Sequence, residues 1–165
     1  MSDINAYFSE IYDQYVGNIY RFIYLKVSSV ETAEDLSSEV FLRLLKHIQG
    51  PGSAIENPQA FLYQIARNVL ADHYRQARVT TISIEKTTIE IEDRGDATQE
   101  SAETSLEMER IKKALIELND DYQNYVIWRY IDELSVPEIA QITGKTEENV
   151  RVGIHRALQA LKEKV

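Results

Sequence analysis

The chain has 165 residues, of which 44% are hydrophobic and 27% charged, a composition typical of a soluble globular protein. It contains no cysteine, which excludes disulfides and thiolate metal sites. The N-terminus lacks the order of a signal peptide, and no apolar run approaches the roughly 20 residues that span a bilayer. We therefore expect a cytoplasmic protein without membrane insertion.

The net charge of −9 is unusual for a DNA-binding protein, because phosphate contacts require Lys and Arg. Residues 1–78 carry nine acids and seven bases, and residues 104–165 carry eleven and nine. Residues 79–103 hold seven acids against only Lys86 and Arg94. This balance argues against free, nonspecific DNA binding but permits a local basic face. It fits a protein that meets DNA alongside a larger partner.

Apolar residues recur every three or four positions over Tyr7–Val27, over Val30–Ile48 and from Pro58 to about Arg78, which predicts three helices. Asn57 is placed to cap the third helix ahead of Pro58. The stripe predicted to be buried in the second helix is Ala33, Leu36, Val40, Phe41, Leu44 and Leu45. Residues 1–78 therefore predict one helical domain.

Residues 79–103 lack helical periodicity and are strongly acidic, which predicts a flexible linker between domains. Within it, Thr80–Ile84 and Thr88–Glu92 alternate like short strands. Two interpretations remain open: a small hairpin, or an extended segment that docks on a partner.

Helical periodicity returns near Ser105 and predicts a domain over residues 104–165. Its first stripe is Leu106, Ile111, Leu115 and Leu118. Asn119 and Asp120 interrupt this helix, and a second helix follows over Asp120–Asp132. The predicted fold is all-α, with two small helical domains joined by an acidic flexible linker.

The segment after Leu134 has the pattern of a helix-turn-helix. Ser135 and Glu138 form a capping-box sequence at the start of a short helix. Gly144 allows the tight turn that ends it. Ala140 is small enough for two helices to cross closely, and Val150 packs back between them. Their offsets of four and six residues are typical of this motif, whereas the alternative is a plain helical hairpin whose charged face is only solvated.

The solvent face of the last helix carries side chains suited to a major groove. Arg and Asn recognise guanine and adenine edges, and Lys145 and Arg156 are candidates for phosphate contacts. The candidate DNA-binding residues are Lys145, Thr146, Glu148, Asn149, Arg151, Val152, His155 and Arg156.

Four segments in order resemble the extracytoplasmic-function group of bacterial RNA polymerase sigma factors, over nearly the whole chain. They are Phe8–Tyr15, Ala33–Arg43, Asn57–Asn68 continuing to Asp72 and Arg75, and Leu134–Ala140 with Val150, Arg151 and His155–Ala157. One departure lies in the middle of the recognition helix, where the family usually has a hydroxyl residue followed by Arg. This chain has Val152 and Gly153 at those two positions.

The resemblance implies a role for each segment. Polymerase binding falls to Asp35, Glu39, Phe41 and Arg43. Contacts to the −10 promoter element fall to Arg67, Asn68, Arg75 and Arg78, with Tyr63 and Tyr74 as candidates for stacking on an unstacked base. The last helix is expected to recognise the −35 element, and the acidic linker to lie in polymerase channels that otherwise hold nucleic acid.

The predicted function is a sigma factor that binds core RNA polymerase and directs promoter recognition, melting and initiation. The expected partners are core polymerase, promoter DNA and an anti-sigma factor, with no cofactor, metal or small-molecule substrate. The three histidines are scattered and no catalytic motif occurs, so we do not expect an enzyme. Two alternatives remain: a helix-turn-helix regulator that acts without polymerase, and a sigma-like interaction module that no longer recognises DNA.

Overall fold

The computed structural model describes residues 2–51, 54–83 and 99–165. The chain divides into two compact units, Met1–Ile91 and Glu92–Val165. Every regular element in the described ranges is a helix, which confirms the predicted all-α fold. None of these helices is long and apolar enough to cross a membrane.

The first unit contains three helices, α1 (Ser2–Val27), α2 (Val30–Gln49) and α3 (Pro58–Ser83), each packed against the other two. Ser29 caps α2 by accepting a hydrogen bond from the Thr32 amide at 3.2 Å. The core consists of side chains from all three helices, among them Ile11, Ile19, Phe22, Ile23, Val40, Phe41, Leu44, Leu62, Tyr63, Ala66 and Leu70. Helical spacing places these side chains on the inward stripe of each helix.

The start of α3 agrees with its prediction and the end does not. Asn57 accepts a hydrogen bond from the Ala60 amide at 3.1 Å, which confirms the predicted cap. The helix continues to Ser83, beyond the expected end near Arg78, so the strand predicted over Thr80–Ile84 is wrong for its first four residues. Extending an existing helix avoids the cost of nucleation and adds one backbone hydrogen bond per residue, while β-branched residues disfavour helix by less than about 1 kcal/mol each, so the helix continues into this stretch.

The second unit begins with α4 (Gln99–Glu117), which starts earlier than the predicted Ser105. Leu115 and Leu118 are buried as predicted, but Leu106 and Ile111 are exposed, which corrects half of that stripe. The reason is that α4 packs near its C-terminus. Lys164 Nζ lies 3.8 Å from Glu117 Oε2, so the end of the last helix lies beside the end of α4.

After α4 the chain forms α5 (Asp120–Val126), which runs directly into a π-helix over Ile127–Ile131. Then α6 (Val136–Thr143) and α7 (Glu147–Lys164) complete the unit. Within the linker predicted over residues 79–103, the chain is helical up to Ser83 and again from Gln99. Residues 84–98, with the second predicted strand and most of the linker acids, lie outside the described residues.

Candidate nucleic-acid and polymerase interfaces

Helices α6 and α7 form the predicted helix-turn-helix. Ser135 Oγ accepts from the Glu138 amide at 3.2 Å, and Glu138 Oε1 accepts from the Ser135 amide at 3.0 Å, so both bonds of the capping box are present. Gly144 ends α6 in the left-handed region with φ 73° and donates to the Ala140 carbonyl at 2.8 Å. Val150 is fully buried, as its predicted place between the helices requires.

The turn sets the start of the second helix. Thr143 Oγ1 accepts from the Lys145 amide at 3.2 Å, and Thr146 Oγ1 accepts from the Asn149 amide at 3.1 Å. Thr146 is therefore the N-cap of α7 as well as a candidate DNA contact. Two capped helices joined by a short turn present the N-terminal part of α7 to solvent, the geometry in which a recognition helix enters a major groove.

All the candidate DNA-binding side chains of this unit are exposed. Val152 is 43% exposed, and Gly153 is half-buried. The two positions that depart from the family pattern therefore differ in burial, because only Val152 is exposed. The exposed candidate DNA-binding residues are Lys145, Thr146, Glu148, Asn149, Arg151, Val152, His155 and Arg156.

The polymerase-binding candidates on α2 divide into surface and core. Asp35 is exposed, and Glu39 and Arg43 are partly exposed, with Arg43 Nε donating to Glu39 Oε1 at 3.0 Å. Phe41 is only 4% exposed, and its ring lies 4.9 Å from that of Tyr12 in an edge-to-face contact. Phe41 therefore lies in the core, where the helical periodicity of α2 predicted it.

A groove between α2 and α3 contains a charge cluster that sequence reasoning missed. Arg43 Nη2 donates to Asp72 Oδ2 at 3.3 Å, and the other oxygen of Asp72 accepts from Arg75. Hydrogen bonds to Glu39 and, to a smaller extent, Asp72 raise the pKa of the Arg43 guanidinium above its usual range. The two ends of the Arg43–Asp72 pair are 29 residues apart, so no local spacing predicted it. The groove is lined by Asp35, Leu36, Glu39, Arg43, Val69, Asp72, His73, Arg75 and Gln76.

The −10 candidates share one face of α3. At 100° per residue, Arg67, Asn68, Arg75 and Arg78 fall within an arc of about 100°. Asn68, Arg75 and Arg78 are exposed, and Arg67 is half-buried.

The two tyrosines considered for base stacking differ in burial. Tyr63 is fully buried and packs edge-to-face on Phe22 with 5.4 Å between ring centroids, so its ring is not available to a base. Tyr74 is 36% exposed, and its hydroxyl donates to the Lys26 carbonyl at 3.5 Å. Of these two rings, Tyr74 is the one that remains accessible.

Together these features give two helical units, one of which contains a helix-turn-helix, a motif typical of DNA-binding proteins. Residues 11–80 match the family described as Sigma-70 region 2, and residues 108–161 match Sigma-70, region 4. The extracytoplasmic-function sigma factor SigW of Bacillus subtilis is 30% identical over 166 residues, covering 96% of this chain and 88% of its own. The chain therefore belongs to the extracytoplasmic-function group of bacterial RNA polymerase sigma factors, which bind core polymerase and direct transcription initiation at promoters.

Two further proteins are similar to this chain. The sigma factor BldN of Streptomyces coelicolor is 36% identical over 157 residues, covering 93% of this chain, which spans 58% of the length of that protein. The sigma factor RpoE of Bartonella quintana, solved in complex with the anti-sigma factor NepR, matches with a TM-score of 0.66 and 21% identity over 95% of each chain. The RpoE likeness is one of fold.

Proposed function

We propose that the two units recognise the two elements of one promoter, α3 at the −10 element and α7 at the −35 element, while α2 binds core polymerase. The observation that carries the proposal is the exposed face of α7 in a helix-turn-helix whose two helices both have side-chain N-caps. Asn149 and Arg151 on that face have the side chains that recognise adenine and guanine edges, and Lys145 and Arg156 suit phosphates.

The polymerase-binding surface that we propose consists of Asp35, Glu39 and Arg43, on the α2 side of the groove. Acids and a guanidinium beside one another suit a polar interface that fixes orientation through charge complementarity. Phe41 contributes to this surface through the packing of α2 rather than by contact, because its ring is buried.

For the −10 element we propose the face of α3 that carries Arg67, Asn68, Arg75 and Arg78. The three guanidinium groups lie along about three turns on one side of the helix and suit contacts to phosphates. Unstacking a base costs a few kcal/mol, and an accessible aromatic ring such as that of Tyr74 recovers about 1–3 kcal/mol by stacking.

The charge of the chain supports action in complex with polymerase. A net charge of −9 opposes long-range attraction of the free protein to DNA, which favours DNA binding alongside a larger partner. We further propose that the protein acts in the cytoplasm and that an anti-sigma factor controls it, as the solved complex of the similar RpoE suggests.

A charge-reversal pair tests the polymerase surface. Asp35 on α2 and Asp13 on α1 are both exposed acids, so Asp35→Lys and Asp13→Lys change the net charge equally. We expect Asp35→Lys to weaken assembly with core polymerase about tenfold and Asp13→Lys to leave it unchanged, measured by fluorescence anisotropy of labelled protein. Equal effects of the two substitutions would contradict the proposed surface.

A further inference from the structure

Gly153 on α7 lies directly against the ring of Tyr125 on α5. A Cβ atom added at Gly153 would lie 2.5 Å from Tyr125 Cε2 and 2.8 Å from Cζ, well inside van der Waals contact. Tyr125 is only 4% exposed, so its ring lies inside the second unit and not on the surface. Because Gly153 has no side chain, the Tyr125 ring can pack directly against the backbone of α7.

The Tyr125 ring is also constrained on another side. It packs edge-to-face on Trp128, with 6.4 Å between ring centroids and an interplanar angle of 84°, and Trp128 is 1% exposed. A ring in a close-packed interior moves only if its neighbours move. A side chain at position 153 would therefore displace α7 or the aromatic pair.

The same ring also lies near Lys145, the residue of the turn that comes just before α7. Lys145 Nζ lies 5.8 Å from the Tyr125 ring centroid, within the range of a cation–π interaction. Lys145 directly precedes the N-cap of α7 and is exposed. One buried ring therefore contacts both the middle of the recognition helix and the cation at its N-terminal end.

We propose that Tyr125 is a positioning residue for −35 recognition: it supports α7 at Gly153 and orients the Lys145 ammonium towards a DNA phosphate. The inference rests on the proposed −35 role of α7 and adds a residue that lies off the DNA-facing surface. Gly153 takes no part in base recognition, which falls to its exposed neighbours Asn149, Arg151 and Val152.

Three substitutions separate orientation of the cation from simple packing. Tyr125→Phe keeps the ring and is expected to behave as the wild type. Tyr125→Leu removes the aromatic face, and Lys145→Ala removes the cation. Both Tyr125→Leu and Lys145→Ala are expected to lower promoter affinity about three- to tenfold at 0.1 M salt and to reduce the salt slope by about one. Tyr130→Leu, on the adjoining π-helix, makes the same chemical change at a ring that is 50% exposed, and it is expected to leave promoter affinity and salt slope unchanged.

A glycine pair tests the support at position 153. No atom beyond the neighbours and backbone of its own helix lies within 4 Å of a Cβ at Gly17 on α1, so Gly17→Ala is expected to raise the melting temperature slightly. Gly153→Ala is expected to lower the melting temperature by roughly 4–8 °C in spite of the same gain in helix propensity. Because Tyr125→Leu removes the ring that the added Cβ would meet, the double variant Gly153→Ala with Tyr125→Leu is expected to lose less stability than the sum of the two single changes.

The measurement uses holoenzyme formed from the full chain and core polymerase, bound to a promoter duplex that the wild-type holoenzyme has selected from random-sequence DNA. Salt slopes are taken relative to the same duplex truncated to remove its −35 element. A reduced slope for Tyr125→Leu and a wild-type slope for Tyr125→Phe support the inference. A wild-type slope for Tyr125→Leu alongside a reduced slope for Lys145→Ala overturns it. Failure of the wild type to select any promoter overturns the proposed function and the inference with it.

Discussion

Arg43 on α2 and Asp72 on α3 form an ion pair across a groove, with 3.3 Å between Arg43 Nη2 and Asp72 Oδ2. The other carboxylate oxygen of Asp72 binds Arg75. One carboxylate therefore connects the helix that we assign to polymerase binding with a guanidinium that we assign to the −10 element. The side chains of Arg43 and Asp72 are 38% and 43% exposed, so solvent limits the contribution of this pair to stability.

The first prediction concerns this carboxylate. Asp72→Ala is expected to lower the free energy of unfolding by less than about 1 kcal/mol, because the pair is exposed to solvent. It is expected to weaken assembly with core polymerase about three- to tenfold, because Arg43 loses one of its two carboxylate partners. Urea unfolding and anisotropy titration measure the two effects, with Asp13→Ala as the control. Wild-type assembly of Asp72→Ala would contradict the role given to Arg43.

The second prediction separates the core of α2 from its surface. Phe41→Ala is expected to lower the free energy of unfolding by about 3–5 kcal/mol, because it removes a buried ring that packs on Tyr12. Leu42 is 45% exposed, so Leu42→Ala is the adjacent control and is expected to change stability by about 0.5 kcal/mol or less. Urea unfolding checks both. A Phe41→Ala variant as stable as the control would show that the ring does not support α2.

The third prediction concerns the capping box at the start of α6. Ser135→Ala is expected to cost about 1 kcal/mol of unfolding free energy, because the Glu138 amide loses its acceptor. The double variant Ser135→Ala with Glu138→Ala is expected to cost less than the sum of the single changes, since the two bonds are reciprocal. Gln159→Ala, at an exposed position of α7, is the control. Strict additivity in urea unfolding would argue against reciprocal bonds.

The fourth prediction concerns base recognition by α7. Asn149→Ala is expected to remove about 1–3 kcal/mol of discrimination at one base pair of the −35 element while leaving the salt dependence unchanged. Repeating the promoter selection with the variant holoenzyme gives the preference at each position. Gln159→Ala on the same helix is expected to select the wild-type sequence. A uniform loss of affinity, without a change of preference at any position, would assign Asn149 to a non-specific contact.

Local signals predicted much of the fold. The capping box of Ser135 and Glu138, the positive φ of Gly144 and the cap at Asn57 each depend on residues within a turn of one another, and the structure confirms all three. The periodicity of α2 likewise placed Phe41 in the core. Helix ends were less accurate, because propagation carried α3 past a β-branched stretch.

Contacts between helices could not be predicted in the same way. Tyr125 lies against Gly153, and Arg43 lies beside Asp72, only because separate helices cross at those points. Nothing in the spacing of either pair indicates contact, and from the sequence Gly153 is only a departure from the family's usual pattern in the last helix. Since α5 packs on α7, the aromatic ring of Tyr125 fills the space beside Gly153, and the glycine is explained by this contact.

The central claim is that both units of this chain act on one promoter through core polymerase, and run-off transcription tests it most directly. Core polymerase with the chain, on a promoter selected by that holoenzyme, is expected to give one transcript of defined length. The transcript is expected to disappear without the chain and to fall at least about tenfold when either the −10 or the −35 element is replaced. A transcript of unchanged yield after replacement of one element, or no transcript from an assembled holoenzyme, would contradict the account.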